Sequence, residues 1–324
     1  MARWFGLDTA RPLASIRSYQ LAQIPSYPDG VVRGGWSSAN PEAVSHGLEL
    51  KTPVAQQLEW LTRRKVPYLQ TVPSNALELA YAATPQEARQ LAIEFIFGIG
   101  ETVSNHSREL IRERLGARLA GIYSCKEVGF IATECPTAPH YHVFAENVVV
   151  DIVGEDGRPV APGELGRVVL TGLYNYAMPF IRYAIGDVAS WATAPCQCGR
   201  SLPVIAQVEG RTRSAFVFRD GKRMWPRSWD AFDMRAFVPF REFQMVQLDH
   251  ERIEFRYVPD GSGRAPDVAG LAAFAHARLH PSVEIILVPL DALPRGPSGK
   301  FEQFLSLVPV DWAPTTPPQS SPMS

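Results

Sequence analysis

The sequence has little cysteine, no excess of charge of either sign and no long apolar run. Four cysteines in 324 residues are too few for the disulfide framework of a small secreted domain. Lysine plus arginine number 32 against 33 aspartate plus glutamate, a net charge of −1. That balance lacks the basic stripe or excess that nucleic acid requires. No apolar stretch approaches the roughly 18–20 residues that span a bilayer. The N-terminus, MARWFGLDTARPLASIR, has no continuous apolar core of a secretory signal. No internal repeat is visible. These absences predict a cytoplasmic chain with neither a nucleic-acid nor a membrane partner. In that compartment, grouped Cys and His more often ligate metal than form disulfides.

What is present can build cores. Hydrophobic residues make up 46% and charged residues 20%, and the length suggests about two domains. Residues 1–30 show no clear pattern. Val54, Leu58 and Leu61 then recur at helical spacing after Pro53, which a first helical turn tolerates. VPYLQTV (66–72), IEFIFGIG (93–100) and ARLAGIY (117–123) read as strands. Helices are predicted between them, from Ser74 and from Ser104, the latter a candidate cap. Alternating strands and helices imply a parallel wound α/β layer over about 30–130. Ligands of such sheets sit beyond the carboxyl ends of the strands, here GIGE (98–101) and YSCKEVG (123–129).

From about 135 to 211 the pattern becomes β-rich, so residues 1–211 form one large α/β part. Residues 212–312 read as a small α+β C-terminal domain, with a hairpin turn at Asp220–Gly221. The Pro/Ser-rich tail, 313–324, reads as disordered.

The densest chemistry lies in 171–213. Arg182 and Asp187 flank a Gly turn, Cys196 and Cys198 follow, and then come Gly210 and Arg211. Asp187 can accept two ribose hydroxyls, or it can form an intrachain ion pair with Arg182. Glu127 follows a strand end and can hold Mg²⁺, or stand as a solvated loop carboxylate. Cys135, His142, Cys196 and Cys198 make a valid tetrahedral zinc set, with His140 competing for the imidazole place. The plain alternative is three buried thiols acting as small hydrophobes. Lys300, in PRGPSGK, is either a mobile charge for a carboxylate or phosphate or a solvated loop lysine.

Together these pieces resemble the adenylate-forming (AMP-forming) ligase superfamily, in its phenylacetate–CoA ligase-like and capsular-biosynthesis-protein-like branch. The resemblance runs from about 30 to 312. PFIRYAIGDVA resembles the family's Arg-Tyr…Gly-Asp motif, which implies nucleotide binding by Arg182 and Asp187. VEGRTRS resembles its Gly-Arg hinge motif, which implies Arg211 at the ribose and phosphate and Arg213 at the pivot. IYSCKEVGF resembles the Tyr-Gly-x-Thr-Glu motif, which implies Tyr123 at the nucleotide and Glu127 on Mg²⁺. PRGPSGK resembles the motif whose lysine, here Lys300, orients the acid carboxylate and the α-phosphate. ECPTAPHYH and CQCGR resemble the branch's zinc loops, which implies structural Zn²⁺ on Cys135, His142, Cys196 and Cys198.

Two departures stand out. The family's Ser/Thr/Gly-rich phosphate loop is not found, and GGWSSAN (34–40) has only a superficial likeness. The large domain is therefore expected to be N-terminally truncated. In YSCKEVG, Ser124 stands for the usual Gly and Lys126 for the usual Thr. Lys126 brings a charge to the phosphate or pairs with Glu127.

The resemblance implies an ATP-dependent ligase that passes an aryl or acyl acid to a thiol such as CoA. The rival expectation is a nucleotide- or partner-binding remnant that needs a separate N-terminal polypeptide. A zinc-stapled structural module is the third reading, and a homo-oligomer is a further expectation.

Overall fold

The computed structural model describes residues 1–19, 24–225, 234–295 and 301–309, apart from the Arg213 side chain. Lys300 and the tail beyond 309 lie outside the described residues. The chain opens with strands β1 (Leu13–Arg17), β2 (Val31–Arg33) and β3 (Ser45–Glu49). Helix α1 (Val54–Arg64), β4 (Tyr68–Thr71), helices α2 (Pro73–Ala82) and α3 (Pro85–Leu91), and β5 (Phe95–Ile99) follow. Then come α4 (Asn105–Leu115) and seven strands. These are β6 (Arg118–Cys125), β7 (Gly129–Glu134), β8 (Tyr141–Val143), β9 (Val148–Val153), β10 (Leu165–Gly172), β11 (Tyr183–Trp191) and β12 (Val204–Arg211).

All twelve strands form one sheet, in the order β2-β3-β1-β4-β5-β6-β7-β8-β12-β11-β10-β9. The run β3-β1-β4-β5-β6 is parallel. From β6 onward the pairing is antiparallel, and β7 pairs both β6 and β8 without a break. The segment read as irregular at 1–30 in fact supplies β1, the link between β3 and β4. Its signal was hidden because Leu13, Ala14, Ser15 and Ile16 are all buried, and a strand buried on both faces shows no alternation.

The helices end where their chemistry stops them. Thr84 accepts the Glu87 N–H while Glu87 bonds back to the Thr84 N–H, a capping box that starts α3. Ser104 caps α4 through the Ser107 N–H at 3.1 Å, and Gly116 closes it in the left-handed conformation. Leu58 and Leu61 of α1 bury fully, joined by Trp60. At about 2 kcal/mol for each large apolar side chain, these contacts fix α1 on the sheet. One core lies under α1–α4 and includes Ile16, Leu69 and Ile96. A smaller one covers the other sheet face through Phe95, Phe97 and Ile122.

After β12, a short 3₁₀ turn (Thr212–Ser214) leads to the hairpin β13 (Phe216–Val217) and β14 (Arg223–Met224). Gly221, with φ +81°, closes that turn as expected. Strands β15 (Phe240–Gln247), β16 (Arg252–Pro259), β17 (Glu284–Pro289) and β18 (Phe304–Ser306) form a second sheet, crossed by helix α5 (Val268–Arg278). Its core is aromatic, and the rings of Phe243 and Phe255 stack at 5.2 Å. Among the described residues, no helix is long and apolar enough to cross a membrane.

Candidate active site

Two β-bulges build the centre of the site. On β6–β7 the register slips between Tyr123 and Ser124. On β11–β12 it slips directly after Val188, where Val188 faces Gly210 and Ala189 faces Val208. Gly210 takes φ +129° there, which a side chain would strain. Bulges re-aim side chains, and these two bring residues from three strands, β6, β11 and β12, together. Asp187 lies opposite Arg211 in register. Arg211 Nε meets Asp187 Oδ1 at 3.1 Å, and Tyr123 donates its hydroxyl to Asp187 Oδ2 at 2.8 Å. Arg211 is steadied by a bond from Nη1 to the Ile185 carbonyl at 3.1 Å. Asp187 is only 9% exposed. Burial, then the Asp187 charge beside it, pushes the Tyr123 phenol well above its usual pKa.

Glu127 and Lys126 occupy the turn between β6 and β7. Glu127 opens onto a cavity of about 490 Å³ shared with Asn147, Gly172, Tyr174 and Phe180. Burial raises the neighbouring Cys125 thiol pKa, and the Glu127 carboxylate adds to that rise.

Arg182 departs from the expected pairing with Asp187. Its backbone is left-handed, with φ 47°, and its N–H is held by Thr171 Oγ1 at 3.0 Å. The guanidinium is thereby turned to Asp151 of β9, 3.0 Å away, and Arg211 takes the place beside Asp187. Arg213 lies in the 3₁₀ turn directly after β12.

The sulfur and imidazole groups converge from three separate stretches. Cys135 Sγ lies 3.6 Å from Cys196 Sγ, and Cys198 Sγ lies 3.2 Å from His142 Nε2. Cys135, His140, His142 and Cys196 each place a ligand atom within 4.8 Å of the others. The backbone brings this about, since the Cys135 N–H donates to the His140 carbonyl at 2.7 Å and His142 pairs with Val204 of β12. His140 Nε2 is buried without a hydrogen-bond partner among the described residues. Burial lowers the pKa of both imidazoles, favouring the neutral form that ligates metal. Three thiols, two imidazoles and a buried orphan nitrogen fit a closed zinc site.

No family model matches the chain. Over 146 residues it is 27% identical to a phenylacetate-coenzyme A ligase of Thermus thermophilus, a stretch that is 44% of this chain and 33% of the relative. Over that stretch the chain is similar to phenylacetate-coenzyme A ligases. It also superposes on a 2-hydroxyisobutyryl-CoA ligase in the postadenylation state in complex with 2-HIB-AMP, with a TM-score of 0.73 at 19% identity over 94% of this chain and 66% of that one. With the same ligase in complex with 2-HIB-AMP and CoA in the thioesterification state, the TM-score is 0.55 at 19% identity over 93% of this chain and 66% of the other. The chain shares the fold of these solved CoA ligases. The sequence match spans about a third of the curated relative's length.

Sequence reasoning missed the pairing of Arg211 with Asp187, although both motifs had been singled out. It also missed Glu101, whose side chain accepts N–H groups from Ser74 and from Phe301. The strand-end rule had pointed at GIGE (98–101) without saying what its carboxylate would do.

Proposed function

We propose that the chain carries out ATP-dependent activation of an aryl or acyl carboxylic acid as its adenylate, followed by transfer to a thiol such as CoA. The observation that supports this most is the Tyr123–Asp187–Arg211 constellation on a CoA-ligase fold. Asp187 accepts the ribose hydroxyls, Arg211 lies at the ribose and phosphate, and Tyr123 lines the nucleotide. Lys126 offers charge at the phosphates, and Arg182 braces the strand that carries Asp187. Glu127 would hold Mg²⁺, which when bound neutralises phosphate charge.

The chemistry balances in two steps. A carboxylate oxygen attacks the α-phosphorus, the α–β phosphoanhydride bond breaks, and pyrophosphate leaves. The thiol first gives its proton to water, the thiolate sulfur attacks the acyl carbon, and the bond to AMP breaks so that AMP leaves. Lys300 orients the carboxylate and α-phosphate in the first step, where negative charge is most crowded. Arg213 marks the pivot between the two sheets. Cys135, His142, Cys196 and Cys198 would hold a structural zinc, with His140 competing for a ligand place beside Cys135, His142 and Cys196. A closed set of four protein ligands supplies folding energy rather than catalysis. The proposed use of ATP and CoA agrees with a cytoplasmic location.

The test is ATP–pyrophosphate exchange with a panel of aromatic and aliphatic acids, using zinc-loaded protein. Acid-dependent exchange is expected. AMP binding by calorimetry without exchange on any acid would instead support the nucleotide-binding reading, in which a second polypeptide completes the site.

A further inference from the structure

One face of α2 meets the second sheet's unit along a single stripe. Ser74, Glu78 and Tyr81 stand at i, i+4 and i+7, which places them on one side of the helix. Each of them is engaged by the C-terminal unit. Arg295 Nη1 donates to Ser74 Oγ at 3.0 Å, and its other nitrogen pairs with Glu78 and, at 3.2 Å, with Glu242 of β15. Arg235 donates to the Tyr81 hydroxyl.

Glu101, just beyond β5, completes the contact. Its Oε2 accepts the Ser74 N–H at 2.9 Å, and its Oε1 accepts the Ser74 hydroxyl at 3.0 Å and the Phe301 N–H at 2.9 Å. The Ser74 N–H is one of the first-turn donors of α2 that no helical carbonyl can satisfy, so a carboxylate there is held by charge as well as by hydrogen bonds. Phe301, whose N–H Glu101 accepts, directly follows Lys300 in the sequence. The Arg295 guanidinium also lies 5.6 Å from the centre of the Phe301 ring.

We propose that Glu101 and Arg295 are positioning residues that dock the C-terminal unit on α2 for adenylate formation, and that this contact is released for thiol transfer. The proposal rests on the ligase reading above. Two relationships support it. The contact ties Glu101 to Phe301, the neighbour in sequence of the lysine assigned to the first step. The chain also superposes on one ligase with a TM-score of 0.73 in its postadenylation state but 0.55 in its thioesterification state, at nearly equal coverage, so this placement of the two units matches the earlier state. A partly buried set of charge-assisted bonds made in only one placement gives that placement its preference.

The experiment has two readouts on the wild type, Glu101→Ala, Arg295→Ala and the conservative Arg295→Lys. The first compares half-reactions. Acid-dependent pyrophosphate exchange should fall about 100-fold in both alanine variants, the usual cost of misplacing a group by about an ångström. Thioester formation from supplied acyl-adenylate and CoA should be unchanged, and Arg295→Lys should recover part of the exchange. An equal fall in both half-reactions, or no fall, would overturn the proposal.

The second readout is amide hydrogen exchange, which needs no activity. Peptides covering 73–82 and 301–309 should exchange about tenfold faster in Glu101→Ala, as expected for losing a bond to a charged acceptor, while β15–β16 stay protected. Unchanged protection would mean that the contact does not form, and the proposal falls. A wild type without pyrophosphate exchange overturns the ligase reading and the step assigned to the contact. The amide readout alone then decides whether the docking itself exists.

Discussion

Tyr123 donates its hydroxyl to Asp187 at 2.8 Å across a sequence separation of 64 residues. The other oxygen of Asp187 faces Arg211 Nε at 3.1 Å. The carboxylate is thus fixed in orientation before any nucleotide arrives, with a cation beside it for the phosphate side. Asp187→Asn keeps the shape and removes the charge. Hydrogen bonds to charged groups contribute about 1.5–3 kcal/mol, so AMP should bind about 10- to 100-fold more weakly by calorimetry. Tyr123→Phe should cost less, because Arg211 still holds Asp187. Equal AMP affinity in Asp187→Asn and wild type would remove Asp187 from the ribose.

The same pair has a pH signature. Burial and the adjacent Asp187 charge raise the Tyr123 phenol well above its usual value of about 10 in the folded state. The folded chain therefore keeps a proton that the unfolded chain gives up. Stability due to Tyr123 is fully present below the unfolded pKa and declines as pH rises through and beyond about 10. Urea midpoints measured from about pH 8 to 11 should fall more steeply in wild type than in Tyr123→Phe. Parallel slopes would show that this phenol is not held neutral by the fold.

Much of this arrangement was legible in the sequence, for reasons particular residues make plain. Leu58 and Leu61 announced α1 through their spacing, and Ser104 announced the start of α4. The Asp220–Gly221 turn named its own hairpin. Cys135, His142, Cys196 and Cys198 were singled out by chemistry; the structure brings Cys135 to Cys196 and Cys198 to His142, while the tight donor group takes His140 in place of Cys198. β1 was not legible, because burial on both faces erases the alternation that reveals a strand. The exchange of Arg182 for Arg211 beside Asp187 was not legible either. It follows from a bulge and from one left-handed residue, and neither leaves a compositional trace.

The zinc assignment makes a separable prediction. Purified protein should carry about one zinc, and a chelator should lower its melting temperature, since structural zinc can contribute on the order of 10 kcal/mol. Cys196→Ser should lose the metal, because Cys196 lies 3.6 Å from Cys135 and belongs to the tight donor group. The informative comparison is His140→Ala against Cys198→Ser. Three thiolates with His142 predict that His140→Ala keeps its zinc and Cys198→Ser does not. The reverse result would make His140 the fourth ligand, which its buried, unpartnered Nε2 would then explain.

The last prediction concerns what holds Tyr123 in place. Glu134 of β7 has a side chain only 4% exposed and pairs with Arg108 of α4. It also accepts the Gly121 N–H at 2.9 Å, two residues before Tyr123, while Arg108 donates to the Leu119 carbonyl at 3.0 Å. Glu134→Ala leaves a guanidinium and a backbone N–H without their acceptor. Breaking a buried pair from one side costs about 3–5 kcal/mol, and that loss should appear in urea unfolding. Glu134→Gln should cost less, because its amide oxygen can still accept from Gly121. Replacing both partners, Arg108→Met with Glu134→Leu, should recover most of the loss, since apolar packing can stand in for a buried ion pair. If the double variant is less stable than Glu134→Ala, the pair is a net stabiliser. In either case the single variants should weaken AMP binding along with stability, because Gly121 and Tyr123 share one strand beside the bulge that aims the phenol at Asp187.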